Sequence, residues 1–100
     1  MNYIIYQTTA VQDLTAILDY YIEECGNAIF AEQIFTDIID AIANLKELPL
    51  LGSLVAEPPY NLLQIRKLII KKYIVFYKVD NNTIHVLRIL NCRQEWQEYL

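Results

Sequence analysis

The 100-residue chain is poor in the side chains from which most small enzymes build a site: it holds one histidine (His85), one serine (Ser53), two glycines (Gly26 and Gly52) and two cysteines (Cys25 and Cys92). A single histidine excludes a His-clustered metal site. Two cysteines without CxxC spacing supply neither a zinc site nor a disulfide framework, and both thiols are expected to be reduced. A Ser-His-Asp triad has only Ser53 to draw on, and no G-x-S-x-G elbow surrounds it. Two glycines are too few for a phosphate-cradling loop of the P-loop or dinucleotide type. No metal and no organic cofactor is expected. Long apolar runs are missing as well: the longest stretch free of charged side chains is about a dozen residues, against the roughly 20 that a spanning helix requires. The N-terminus also lacks a basic n-region, so the expectation is a soluble, unexported, cytoplasmic protein without a membrane partner.

What is present is enough apolar material for one core. With 55% hydrophobic and 20% charged residues the chain is neither a disordered tail nor a linker, and it is expected to fold as a single domain over residues 1–100. A chain of this size buries only about 60–65% of its unfolded surface, which places any chemistry on an open face. The net charge of -4 conceals a division. Residues 1–60 carry nine acids and one base, Lys46, a net -8; residues 61–100 carry Arg66, Lys67, Lys71, Lys72, Lys78, Arg88 and Arg93 against three acids, a net +4. Such asymmetry points to an anionic partner for the second half, or to an acidic helical layer that solvates itself beside a basic sheet edge.

Residues 3–7, β-branched and aromatic, predict an opening strand. Thr9 and Gln12 have capping-box spacing, and Val11, Leu14, Leu18, Tyr21, Ile22 and Cys25 then recur at helical period. Gly26 is placed to end this helix and Asn27 to cap a second, giving a tight helical hairpin. Ala31, Ile34, Phe35, Ile38, Ile42 and Leu45 make the second stripe, widened by Ile39 and Ala41, and Pro49 closes it. Residues 50–60, with Gly52, Pro58 and Pro59, read as a connecting loop. Strands are expected over about 62–69, 72–79 and 83–90, with Asp80-Asn81-Asn82 turning between the last two. Both alternating sets of the middle strand, Tyr73/Val75/Tyr77/Val79 and Ile74/Phe76, are apolar, so something must cover the second face of the sheet. Either residues 94–100 fold back as a short helix anchored by Trp96 and Leu100, or a partner chain does the covering. The chain order is β-α-α-β-β-β, an α+β domain with a helical hairpin packed on a small, mainly antiparallel sheet.

Residues 65–79 (IRKLIIKKYIVFYKV) and 84–96 (IHVLRILNCRQEW) resemble the toxins of type II toxin–antitoxin modules in the RelE/ParE superfamily, a group associated with plasmid stabilisation. Members similarly show an R-K-L, a Y-x-V-F-Y-x-V strand, and a V-x-R-I-L-x-x-R-x-[DE]-[WY] pattern near the C-terminus. The front half agrees: Thr9–Leu14 resembles the T-x-x-A-x-x-D-L entry to helix one, and Leu45–Gly52 the L-x-x-x-P-x-x-G that closes helix two. The resemblance implies a growth-inhibiting toxin neutralised by a cognate antitoxin. RelE-like members cut mRNA in the ribosomal A site as metal-independent endoribonucleases, whereas ParE-like members inhibit DNA gyrase and have lost the RNase residues.

Cleavage of RNA needs cations around the transition state and a group that helps the 2′-hydroxyl attack. Lys67 and Arg93 match basic positions of the ribonucleases and Tyr99 lies near a C-terminal tyrosine of some members, which makes these three the candidate catalytic residues. Arg66, Lys71, Lys72 and Arg88 are candidates for gripping phosphates. Three departures favour gyrase: Ile74 stands where several ribonucleases carry arginine, Asn91 where a histidine often precedes the C-terminal arginine, and the net charge of -4 contrasts with the strongly basic character usual in ribosome-cutting members. His85 is read as a structural histidine inside its strand. Arg88 alternates with Ile84, Val86 and Leu90, so it must find a carboxylate, a carbonyl or solvent. The leading reading from the sequence is ribosome-dependent mRNA cleavage, with gyrase inhibition without RNase activity and a degenerate, non-toxic binding module that retains the fold as the alternatives.

Overall fold

The computed structural model describes residues 2–94 and 96–100; Met1 and Glu95, the latter part of the C-terminal motif, lie outside the described residues. Strand β1 (Tyr3–Tyr6) leads into helix α1 (Thr8–Asp19), a helical hairpin follows with α2 (Ala28–Ala43), and β2 (Ser53–Leu54), β3 (Arg66–Ile70), β4 (Tyr73–Asp80) and β5 (Thr83–Asn91) complete a sheet in the order β1-β5-β4-β3-β2. β1 runs parallel to β5 and every other pair is antiparallel. This is the expected α+β architecture, with one further strand of two residues inside the segment read as loop. Among the described residues no helix is long and apolar enough to cross a membrane.

The hairpin turns where its residues dictate. Gly26 takes φ +60°, the left-handed conformation that ends a helix at little cost, and the Asn27 side chain accepts the Phe30 N–H at 3.0 Å. The capping box at Thr9 does not form: α1 begins at Thr8, and Gln7, two residues before Thr9, stands at its cap. The Thr9 hydroxyl instead donates to the Leu87 carbonyl at 2.8 Å, because the neighbouring strand offers an unpaired acceptor there. A five-residue π-helical turn, Tyr20–Glu24, extends α1. Widening the helix in this turn shifts the phase of its faces, so Tyr21 is buried while Ile22 and Cys25, expected on the apolar stripe, face outward. Val11 and Phe35 lie at the margins of their stripes and are also exposed. The stripe of α2 is otherwise as expected, with Ala31, Ile34, Ile38, Ile42 and Leu45 buried.

β4 is the centre of the molecule. Tyr73, Val75 and Tyr77 pack against the helices, while Ile74 and Phe76 enter a second cluster on the opposite face with Val55, Ile65 and Leu90. The chain covers that second face itself. A 3-10 turn, Trp96–Glu98, sets the Trp96 ring 5.3 Å from Phe76 and 5.5 Å from Tyr60, and Leu100 packs beside them. The strand expected from residue 62 begins only at Arg66, because residues 60–64 wind into overlapping turns in which Leu62 N–H donates to Pro59 and Leu63 N–H to Tyr60.

The close approach of residues 49–52 to β4 explains the P-x-x-G spacing. The buried Tyr77 hydroxyl donates to the Pro49 carbonyl at 2.9 Å and accepts the Gly52 N–H at 2.8 Å. A Cβ on Gly52 would stand 2.7 Å from the Lys67 carbonyl oxygen and 2.8 Å from the Tyr77 ring, so only glycine fits. On the other side of β4, a register shift between Phe76 and Tyr77 leaves Leu87 of β5 without a direct partner. Such a bulge reverses the facing of the residues beyond it. Arg88 therefore shares a face with Leu90 but not, as the uninterrupted alternation predicts, with Ile84 and Val86.

Candidate functional site

β1 pairs with β5 only as far as Val86, so the outer edge of residues 87–91 is open. α1 closes it with side chains. Gln7 N–H donates to the Val86 carbonyl, Thr9 Oγ1 to Leu87, and the Asp13 carboxylate accepts the Ile89 N–H at 3.0 Å. Asp13 also grips Arg88 with both oxygens, Nε to Oδ2 at 2.7 Å and Nη2 to Oδ1 at 2.8 Å. The third arm of the guanidinium donates to the Tyr99 carbonyl at 3.0 Å and its carbon lies 5.4 Å from the centre of the Tyr99 ring. The Asp13 bonds raise the pKa of Arg88 further, partly opposed by its burial. The C-terminal turn, α1 and β5 are thus joined at one residue.

Beside this junction opens a groove of about 610 Å³, walled by α1 and its π turn on one side and by the start of β4, the end of β5 and the C-terminal turn on the other. Tyr21 and Tyr73 meet at its base, hydroxyl to hydroxyl at 2.9 Å. Burial, followed by this hydrogen bond, pushes the Tyr73 hydroxyl well above the usual tyrosine range, so it stays protonated. The Lys72 ammonium lies over both rings, 5.2 Å and 5.9 Å from their centres. Tyr20, more than half exposed, stands edge-on to Tyr21 at 5.3 Å, and Arg93 and Gln94 complete the rim.

Of the seven residues expected to carry function, four line this groove: Lys72, Arg88, Arg93 and Tyr99. The other three lie elsewhere. Lys67, on β3, pairs across the sheet with Phe76, which places it on the face covered by Trp96. Arg66 donates to the carbonyls of Gly52 at 2.7 Å and Leu50 at 3.4 Å, holding the loop. Lys71 pairs with Asp37 of α2 at 2.6 Å. His85 sits inside β5, outside the groove, with Gln7 Nε2 at 3.3 Å from its Nδ1. The sequence reading missed Asp13 as the partner of Arg88, and Tyr20 and Tyr21 as groove walls. Asp13 carried no local signal, and neither did the tyrosines as groove walls: Tyr21 falls on the apolar stripe of helix one with Tyr20 next to it.

Among the described residues the groove has one lining carboxylate, Asp13, which is engaged by Arg88, and no histidine. Among the described residues no cluster of three metal-ligating side chains occurs. Lys72 and Arg93 have no carboxylate within 4 Å among the described residues. The groove therefore offers positive charge, hydroxyl donors and aromatic surface to an anion.

The architecture and its motifs coincide with one family. A family model described as the ParE toxin of the type II toxin–antitoxin system, parDE, matches residues 4–96. The chain belongs to the ParE toxin family. No curated protein sequence matches the chain significantly. Among solved structures, the chromosomal ParDE TA system from P. aeruginosa superposes with a TM-score of 0.73 at 23% identity, covering 91% of this chain and 96% of that one, which establishes a shared fold. For a ParE-type toxin, the mutual arrangement of the expected ribonuclease residues becomes the point of interest.

Proposed function

We propose that this ParE-type toxin works as a single domain that arrests growth by binding DNA gyrase, without cutting RNA, and that a cognate antitoxin holds it in check in the cytoplasm. Dispersal of the expected ribonuclease residues carries the reading. Lys67 and Arg88 flank Phe76 in one row across the sheet, two strand spacings or about 9.6 Å apart, and Trp96 packs on Phe76. Arg93 and Tyr99 line the groove together with Arg88, and Lys67 is not among its lining residues. Lys67 thus stands apart from Arg93 and Tyr99, beside the packed Phe76 and Trp96 rings, and among the described residues the groove holds neither a histidine nor an unengaged carboxylate to take a proton. Ile74 and Asn91 at two positions where superfamily ribonucleases carry basic or titratable residues point the same way, and gyrase is the target that the superfamily resemblance associates with loss of those residues.

The competing reading, ribosome-dependent mRNA cleavage, has one observation in its favour: Arg93, Tyr99 and Lys72 do share the groove. Controlled expression of the chain without its antitoxin, with growth followed and mRNA 5′ ends mapped, separates the two. Arrest with intact mRNA is expected. Arrest with new codon-phased breaks would replace the gyrase reading with the ribonuclease one, and unimpeded growth would leave a binding module.

A further inference from the structure

The sheet ends differently at its two edges. β2, the last strand on one side, is two residues long and follows Gly52, which is pressed against Lys67 and Tyr77, so that edge offers almost no ladder. β1, on the other side, is the four residues Tyr-Ile-Ile-Tyr, paired only with β5. The Tyr3 and Gln7 N–H groups reach inward to the carbonyls of Asn82 and Val86. By alternation the N–H and C=O groups of Ile4 and Tyr6 face away from β5, and among the described residues no hydrogen bond from elsewhere in the chain meets them. Edges left open in this way are normally guarded by a charge, a proline or a bulge. β1 has none of these: no charged side chain and no proline precedes Asp13, and the register with β5 is unbroken. Ile4 and Tyr6 pack against the core under the helices, while Tyr3 and Ile5, on the opposite face, are 67% and 47% exposed.

We propose that β1 is the contact between two copies of this chain, paired antiparallel along their β1 edges about a two-fold axis centred on Ile4. An axis perpendicular to the sheet keeps the faces of the two sheets aligned. The outward groups of Ile4 then meet those of Ile4 of the partner subunit, and Asn2 meets Tyr6 of the partner subunit, each pair exchanging both N–H···O bonds. In the same register Tyr3 lies opposite Ile5 of the partner subunit on the face away from the helices, and each covers the other's exposed apolar surface. Charge selects a second copy as the occupant. Residues 1–60 are net -8, so copies meeting through the acidic helices would repel, whereas this edge brings no charged side chain to the contact. Because the β2 edge is too short to continue the pairing, the assembly closes at two copies. A strand of this length buries less than the about 800 Å² per partner of a stable complex, so the dimer is of the weak, concentration-dependent class. It is independent of how the toxin acts on its target.

Sedimentation velocity of the purified full chain, from about 10 μM to about 1 mM, tests it. The weight-average mass should rise from 11.7 kDa toward twice that value, and hydrogen exchange at the Ile4 and Tyr6 amides should slow as it does. Tyr3→Lys with Ile5→Lys sets like charges opposite each other across the axis and should raise the dissociation constant about tenfold or more. Tyr3→Lys with Ile5→Glu sets opposite charges against each other in the proposed register and should recover association. Both side chains are at the surface, and a thermal melt confirms that the variants remain folded. The mass of a single chain at every concentration, undiminished association of the folded Lys/Lys variant, a Lys/Glu variant that associates no better than it, or Ile4 and Tyr6 amides that exchange equally fast in monomer and dimer would overturn the proposal. A chain that stays monomeric and gains protection at these amides only when its antitoxin is added would overturn it too, and would assign the edge to the antitoxin.

Discussion

Removing Asp13 tests whether Arg88 is a structural tie or a free cation for substrate. In Asp13→Ala the guanidinium loses both carboxylate bonds and keeps only the Tyr99 carbonyl, while the Ile89 N–H on the strand edge loses its acceptor. Breaking a fully buried ion pair from one side costs about 3–5 kcal/mol. Here the side chains retain 20% and 14% of their exposure, and water can partly solvate what is left, so about 2–3 kcal/mol is the appropriate figure. For a chain of this length that is a fall in Tm of roughly 10–20 °C. Arg88→Ala should cost less, because Asp13 then still accepts the Ile89 N–H, and the double variant should be less destabilised than the two single effects added, by about 1–2 kcal/mol. Urea unfolding of the four proteins, with m unchanged between them, gives this coupling directly. Additive effects, or an Asp13→Ala protein within about 0.5 kcal/mol of the parent, would show that the pair does not hold α1 to β5 and would return Arg88 to the pool of available cations.

Other consequences are independent of that pair. Tyr77→Phe strips the partners from the Gly52 N–H and the Pro49 carbonyl and should cost about 1–3 kcal/mol, read by the same urea titration. Gly52→Ala should cost a similar amount, about 1–3 kcal/mol, through forced displacement of β3 or Tyr77, with the largest amide chemical-shift changes at Lys67 and Tyr77. Trp96→Ala should lower stability by about 2 kcal/mol, less than for a fully buried tryptophan, and raise binding of a hydrophobic dye as the second sheet face opens. At alkaline pH, Tyr6, Tyr73 and Tyr77 hold their protons more tightly when folded, each chiefly through burial. The folded state then binds more protons than the unfolded one above about pH 10, so stability is fully present below that pH and falls as pH rises beyond it. Unfolding free energies that stay level from pH 9 to pH 11 would contradict the burial of these hydroxyls.

The hairpin was legible in the sequence because its determinants are local: Gly26 reverses the chain, Asn27 caps α2, and the α2 stripe repeats at 3.6 residues. β4 and β5 were legible from β-branched and aromatic alternation, and the covering role of Trp96 and Leu100 from the simple fact that both faces of β4 are apolar. What could not be read depends on contacts between distant segments. The bulge at Leu87 changes the face of Arg88 without any glycine to announce it. The open edge of β5 takes Thr9 away from its cap and engages Asp13, a choice made by a strand 75 residues or more along the chain. Likewise Arg66 and Lys71 were visible as charges, but their partners, the Gly52 carbonyl and Asp37, are set by how the loop lies against the start of β3 and how α2 lies against the turn between β3 and β4. Lys72, Arg93 and Tyr99 were recognisable as candidates from the motif; that they share a groove with Tyr20, while Lys67 does not, is a result of topology alone.

The most direct test of the central claim is DNA supercoiling by purified gyrase in the presence of the purified toxin. The account predicts that the chain alone inhibits supercoiling in proportion to its concentration and that its antitoxin relieves the inhibition. Full gyrase activity at every concentration of a folded chain that still arrests growth on induction would contradict it.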